Sequence, residues 1–367
     1  MGSPSGVRRR RTDMLAVAER AEHAEELFAV TSARLRRVVT FDAAVWSATD
    51  PETGLVTAPM RVENLGGGEH CAAYWESEVL DEGPFAFRDL ARAEAAVASR
   101  RHRGHRPWQA GNEELRAVLR AGRRTWGVVS LFRDRGRAPF GPGELEFVAG
   151  LSAPLAARLR SFARPAGVRQ APDAPGPGLV LFDGSGRATS VNEEARHHLA
   201  RFPTGPSADT ELGVRLPIWV VTAALQARVP GRTARVRVRT IDGHWLVCHA
   251  SAMSGPGGAA GPTVLVIEPA AASDMAVIVA EAYELSPREL EITQLIALGL
   301  TTGEIAGRLF ISPHTVRDHV KAVFAKVRVS SRGELVARLF AENFWPRRVR
   351  TDPTPSRTGG QGGRRRP

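Results

Sequence analysis

In the last quarter of the chain, apolar residues recur at steps of three and four. Ile292, Leu295 and Ile296 share one side of a first segment, and Ile305, Ala306 and Leu309 share one side of a second. Stripes at that period are helix faces that have to be buried. In a third segment Val316, Val320, Val323, Phe324 and Val327 repeat the spacing, which leaves His314, Arg317, Asp318 and Lys321 on the opposite, solvent-facing side. The starts of these helices are written in the sequence as well. Ser286-Pro287-Arg288-Glu289 supplies an N-cap, a proline at the first helical position and a glutamate at the third, so hydroxyl and carboxylate satisfy orphan amides reciprocally. Thr301 and Glu304 repeat the pattern, Ser312-Pro313 opens the third helix, and Ser331 with Glu334 opens a fourth. Only residues 310–312 separate the second helix from the third, which is helix-turn-helix spacing.

Upstream, the pattern is mixed. Residues 12–37 read as one amphipathic helix, with Leu15, Ala18, Ala21 and Ala24 at three-residue steps. Residues 41–47 and 126–132 are rich in aromatic and β-branched residues and read as strands, and 141–163 reads as a closing helix. Together these predict an α+β domain over residues 1–163. Residues 164–178, rich in Pro, Gly and Ala, predict a linker, and a shorter gap falls at 268–274. Between them, 179–192 form a hairpin around Asp183-Gly184. Residues 235–241 alternate Arg and Val, turn at Asp242-Gly243 into a strand at 244–251, and a further strand lies at 263–267. The helical domain is assigned to residues 275–345. Residues 347–367 carry seven arginines with Pro, Gly and Thr, which predicts a basic disordered tail.

Charge sharpens this picture. The formal net charge is +11 and the sequence pI about 11.0, a balance that favours polyanionic partners. Both lysines of the chain, Lys321 and Lys326, fall in the third helical segment with Arg317, Arg328 and Arg332 close by. A helix carrying long cationic side chains fits the major groove, roughly 12 Å wide, where they reach base edges. The two cysteines, Cys71 and Cys248, suit a reducing compartment and form neither a disulfide framework nor a zinc finger. Charges follow the first arginines before any apolar core of a signal peptide forms, and no apolar run approaches a membrane span, so a cytoplasmic protein with no membrane partner is expected.

The runs Leu285-Ser-Pro-Arg-Glu, Gly299-Leu-Thr-Thr-Gly-Glu-Ile-Ala and Leu309-Phe-Ile-Ser-Pro-His-Thr-Val-Arg-Asp-His-Val-Lys closely resemble the DNA-binding domain of LuxR-type transcriptional regulators. Trp126-Gly-Val-Val-Ser-Leu-Phe-Arg, then Ala138-Pro-Phe and a helix, resembles the end of a GAF domain. The Asp183-Gly hairpin leading to Asn192 is similar to a PAS domain. The implied fold is two α+β sensor domains, GAF-like and PAS-like, followed by an all-α four-helix helix-turn-helix domain. The resemblance implies a transcriptional regulator, not an enzyme. It also implies that Arg317, Asp318 and Lys321 face base edges with His314 nearby, that Thr302, Thr315 and Lys326 meet phosphates, and that Arg332 belongs to the same basic surface. Asp318 either accepts from cytosine or holds Arg317 in place. Double-stranded DNA, a second copy of the chain paired through Leu335, Val336 and Leu339, a small-molecule effector and RNA polymerase are the implied partners, with no cofactor. One position departs from the family: Arg328 stands where a glycine usually lets the chain turn left-handed. The cost is about 1 kcal/mol, which predicts a turn of different shape.

Other chemistries fit less well. His244, Cys248 and His249 invite a metal site, but strand alternation puts His249 on the opposite face from the other two. The glycine stretches at 66–68 and 255–261 lack the context of phosphate loops. A GAF-like or PAS-like enzyme or signalling protein that uses the helical domain only for docking is the rival, with no Ser/His/Asp set or paired carboxylates to support it.

Overall fold

The computed structural model describes residues 4–65, 68–80, 85–102, 113–134, 136–164, 175–232, 234–255, 257 and 259–340. The expected linker core, the tail and the side chain of Cys71 lie outside the described residues. In chain order the first unit comprises α1 (Pro4–Ala18), α2 (Ala24–Leu35), β1 (Ala43–Thr49), β2 (Val56–Glu63), α3 (Gly68–Leu80), α4 (Phe87–Leu90), β3 (Val97–Arg101), β4 (Glu113–Ala121), β5 (Arg124–Arg133) and α5 (Pro142–Phe162). Its antiparallel sheet runs β2-β1-β5-β4-β3. α5 lays Phe147, Leu151, Leu155 and Leu159 on β4 and β5.

Residues 12–37 do not make one helix. His23 accepts the Glu26 amide at 3.2 Å while the Glu26 carboxylate accepts the Glu22 amide at 2.7 Å, a reciprocal cap that ends one helix and starts the next. β4 is a strand although Glu, Leu, Arg and Ala favour helices, because pairing with β3 and β5 outweighs propensity. At its centre Arg116 is fully buried among Tyr74, Phe85 and Phe87, its guanidinium bonded to Glu114 and Glu78. Burial alone raises the Glu114 carboxyl, but Arg116 and His102 outweigh it and hold the group at about 2.

The second unit holds β6 (Gly178–Phe182), β7 (Ala188–Val191), α6 (Glu193–Ala200), β8 (Ser207–Asp209), β9 (Arg215–Pro217), α7 (Ile218–Ala227), β10 (Arg235–Arg239), β11 (Trp245–Ser254) and β12 (Ala260–Pro269). The hairpin at 179–192 is present as β6 and β7. Asp183 accepts the Ser185 and Arg187 amides, and Gly186 takes the left-handed conformation, φ +83°. Asn192 then caps α6 through the Ala195 amide while accepting the Leu179 amide, which pins helix to strand. The large sheet runs β10-β11-β12-β6-β7. Counted in chain order within each five-stranded sheet, both have the order second, first, fifth, fourth, third.

The two units pack together. Thr53 and Thr57 donate to the carbonyls of Arg235 and Arg237, each at 2.9 Å, and Arg237 pairs with Asp50. Next comes α8 (Ala272–Ala282), whose Met275, Ile278 and Val279 are buried and which packs on α5 and on the helix that follows it. Its start lies inside the gap read at 268–274 and is capped through Asp274 onto the Ala271 amide, without a Ser or Thr signal. Among the described residues no helix is long and apolar enough to cross a membrane.

A Cβ on Gly178 would lie 2.7 Å from Ala195 Cα and 2.9 Å from its nitrogen, whereas one on Gly184 would meet nothing within 4 Å. Gly178→Ala is expected to lose about 1–3 kcal/mol in urea denaturation, and Gly184→Ala to stay within about 0.5 kcal/mol of the parent. Equal stability of the two variants would refute the close docking of α6 on β6.

Candidate nucleic-acid interface

The C-terminal helices are α9 (Pro287–Ala297), α10 (Thr302–Leu309), α11 (Pro313–Val327) and α12 (Arg332–Phe340). Ser286 Oγ accepts the Glu289 amide at 3.3 Å and Glu289 returns to the Ser286 amide at 2.7 Å. Thr301 and Glu304 do the same, and Ser312 Oγ accepts the Thr315 amide at 3.0 Å. At the fourth start the partners are split: Ser331 Oγ accepts the Glu334 amide, but the Glu334 carboxylate reaches the amide and hydroxyl of Ser330. Ile292, Ile305, Val316, Val323, Val327, Leu335 and Leu339 form the core.

Two left-handed residues shape the corners. Phe310, at φ 54° and ψ 43°, turns α10 into α11 and returns its N–H to the Ala306 carbonyl, leaving its ring 94% exposed. Arg328 closes α11 at φ 59° and ψ 55°, with its N–H on the Phe324 carbonyl. The turn therefore keeps the left-handed form despite the missing glycine, contrary to the different shape expected, because the capping bonds outweigh the penalty on an L residue.

With Val316, Val323 and Val327 inward, α11 presents His314, Arg317, Asp318 and Lys321 to solvent. His314 Nδ1 lies 3.0 Å from Asp318 Oδ2, one turn along the helix. Arg317 Nε donates to the Pro313 carbonyl at 3.2 Å, so Asp318 is engaged by His314 rather than Arg317. Thr315, half-buried, places Oγ1 2.9 Å from Ser312 Oγ at the helix start. Thr302 Oγ1 accepts Arg332 Nη2 at 2.8 Å, and Arg332 Nη1 donates to the Leu300 carbonyl at 2.8 Å, tying α12 to the head of α10. Lys326 turns inward as well: Nζ donates to Glu289 Oε2 at 2.6 Å and to the Glu284 carbonyl at 2.9 Å. The structure thus groups Arg317, Asp318, Lys321, His314 and Thr315 on one surface and spends Lys326 and Arg332 on internal bonds. Arg308 is an exposed cation in the last turn of α10.

A correction concerns α12. Leu335 and Leu339, expected at a surface for a second copy, are fully buried in their own domain, because their stripe packs on α9. Gly333 and Ala337 are exposed and Val336 is half-buried. Among the described residues no group of three or more His, Cys, Asp or Glu side chains could hold a metal ion, and burial pushes the Cys248 thiol well up.

This geometry, a short turn joining two helices with the second polar and exposed, defines a helix-turn-helix protein. The model of the bacterial regulatory proteins of the luxR family matches residues 283–339. The spore germination protein GerE of Bacillus subtilis is 42% identical over 55 residues, 15% of this chain and 74% of GerE. The chain belongs to the luxR family. An HTH-type transcriptional regulator of Mycobacterium tuberculosis is 44% identical over 52 residues, 14% of this chain and 6% of that protein, so the chain spans only a small part of the first curated relatives it matches. The crystal structure of Escherichia coli SdiA is 14% identical and covers 90% of this chain and 96% of its own, but at a TM-score of 0.30.

Burial alone raises the Glu289 carboxyl, but the Lys326 ammonium and the Ser286 amide outweigh it and hold the group below its ordinary 4.5. The ion pair therefore adds stability above that value and loses it as pH falls through the lowered one. Lys326→Met is expected to cost no more than about 1 kcal/mol at neutral pH, since the ammonium is partly exposed. It should also flatten the acid side of the stability profile. A variant as acid-sensitive as the parent in urea denaturation would refute the tether.

Proposed function

We propose that the protein is a sequence-specific DNA-binding transcriptional regulator. In this reading α11 enters the major groove, Arg317 and Lys321 address base edges, and Asp318, steadied by His314, accepts from a cytosine amine. Thr315 and Thr302 meet flanking phosphates. Lys326 and Arg332 act chiefly by holding α11 and α12 against the rest of the domain, since their cationic groups already have partners. The observation that carries the reading is the placement of Arg317 and Lys321 on the exposed side of a helix whose other side is sealed in the core.

The two α+β units are read as a GAF-like domain over 1–163 and a PAS-like domain over 179–268. The helical domain runs over 275–345, with α8 as its link to both. The shared strand order of the two large sheets supports treating them as related sensor modules. A homodimer forms through α12, using Gly333, Val336 and Ala337 in place of the buried leucines. Two copies of α11 then meet half-sites about 34–36 Å apart. The protein works in the cytoplasm, responds to a small effector and acts on transcription through RNA polymerase, with no enzymatic step. The luxR-family domain supports the regulatory role.

The full chain is expected to bind duplex DNA with an affinity that falls steeply with salt, measured by fluorescence anisotropy. Arg317→Ala should lose about 1–3 kcal/mol on the preferred site and relax preference at one base position. An equal loss on every sequence would remove Arg317 from base reading, and salt-insensitive or absent binding would refute the assignment.

A further inference from the structure

A cavity of about 400 Å³ opens where the two α+β units meet α8. The volume lies in the roughly 300–1,000 Å³ range of small-molecule sites. Trp126 of β5, Leu159 and Phe162 of α5, Trp245 of β11, Ile241 and Ile278 of α8 make its apolar wall. Ile241 is 68% exposed, a large apolar side chain left in water beside an apolar opening. Asp50 and Arg237 also line the cavity; both are buried, and they pair with each other, while Arg237 also binds Glu52. Glu25 and Arg239 line it too, with Arg239 donating to the Gly243 and Phe162 carbonyls. Two carboxylates and two guanidiniums thus face one cavity, and with no net charge in the wall a charged ligand would lose hydration without net attraction to offset it.

We propose that this cavity binds an uncharged, mainly apolar small molecule of two or three linked rings. The site lies between the two units, not within either sheet. Its occupant touches α8 at Ile278, and α8 runs through Glu284, left-handed at φ 55°, directly into the Ser286 cap of α9. A ligand that prefers one placement of α8 shifts the placement of the DNA-reading helices with it. That coupling rests on the regulator reading above; occupancy of the cavity does not.

The test titrates the full chain with N-phenyl-1-naphthylamine, an uncharged aromatic amine whose emission rises in apolar surroundings, and reads energy transfer from tryptophan without DNA. The site predicts saturable binding at one equivalent. Ile278→Trp, which fills the cavity, should weaken it at least tenfold. Ile241→Ser, at an exposed position the fold does not depend on, should weaken it roughly fivefold. Absence of saturable binding in the parent overturns the proposal, as does unchanged affinity in Ile241→Ser, which decides the matter if Ile278→Trp does not fold. A chain that binds the dye as predicted but binds no DNA supports the cavity and sinks the regulator reading instead.

Discussion

Burying one apolar stripe of α11 is the constraint on which its exposed polar face depends. A helix turns about 100° per residue, so sealing Val316, Val323 and Val327 against α9 and α10 forces His314, Arg317, Asp318 and Lys321 to the far side. No separate device is needed to expose them. The neighbouring bonds then fix how α11 sits: Lys326 clamps its C-terminal half to Glu289 at the head of α9, and Arg332 clamps α12 to the head of α10. Cations that looked like ligands for phosphate hold the frame in which the remaining cations are presented.

Much of this domain was legible because its signals are local. Ser286, Thr301 and Ser312 cap helices through residues three positions away, and the apolar stripes need only the helical period. The Asp183-Gly hairpin was legible for the same reason. What stayed hidden depends on contacts between distant residues or on unusual caps. β4 is built from helix formers and is a strand only because β3 and β5 flank it. The break before α2 rests on a histidine cap, and α8 begins on an alanine. In α12 the apolar stripe was visible, but nothing local says whether Leu335 and Leu339 face their own core or a second copy. Lys326 could be recognised as basic, while its partner Glu289 lies 37 residues earlier.

The rest of the chain meets the helix-turn-helix domain at α8. Arg124 of the first unit pairs with Glu281 at 3.4 Å, Arg164 donates to the Ala282 carbonyl at 3.0 Å, and Arg235 of the second unit pairs with Asp274 at 3.6 Å. Arg160 also pairs with Glu284, next to the carbonyl that Lys326 holds. One helix is thus anchored to both sheet units and packs on α9 of the helix-turn-helix domain. Individually such partly exposed pairs are worth little, but the apolar face of Met275, Ile278 and Val279 gives them a buried seam to align.

The central claim is that the outward face of α11 lies in the groove of bound DNA. It is tested most directly by attaching a DNA-cleaving iron chelate to Lys321→Cys, in a chain with Cys71 and Cys248 replaced by serine and alanine, and mapping strand scission on a bound duplex. The account predicts cuts confined to two major-groove segments about one helical turn apart. Bound protein that produces no scission above that of the untethered chelate would contradict it.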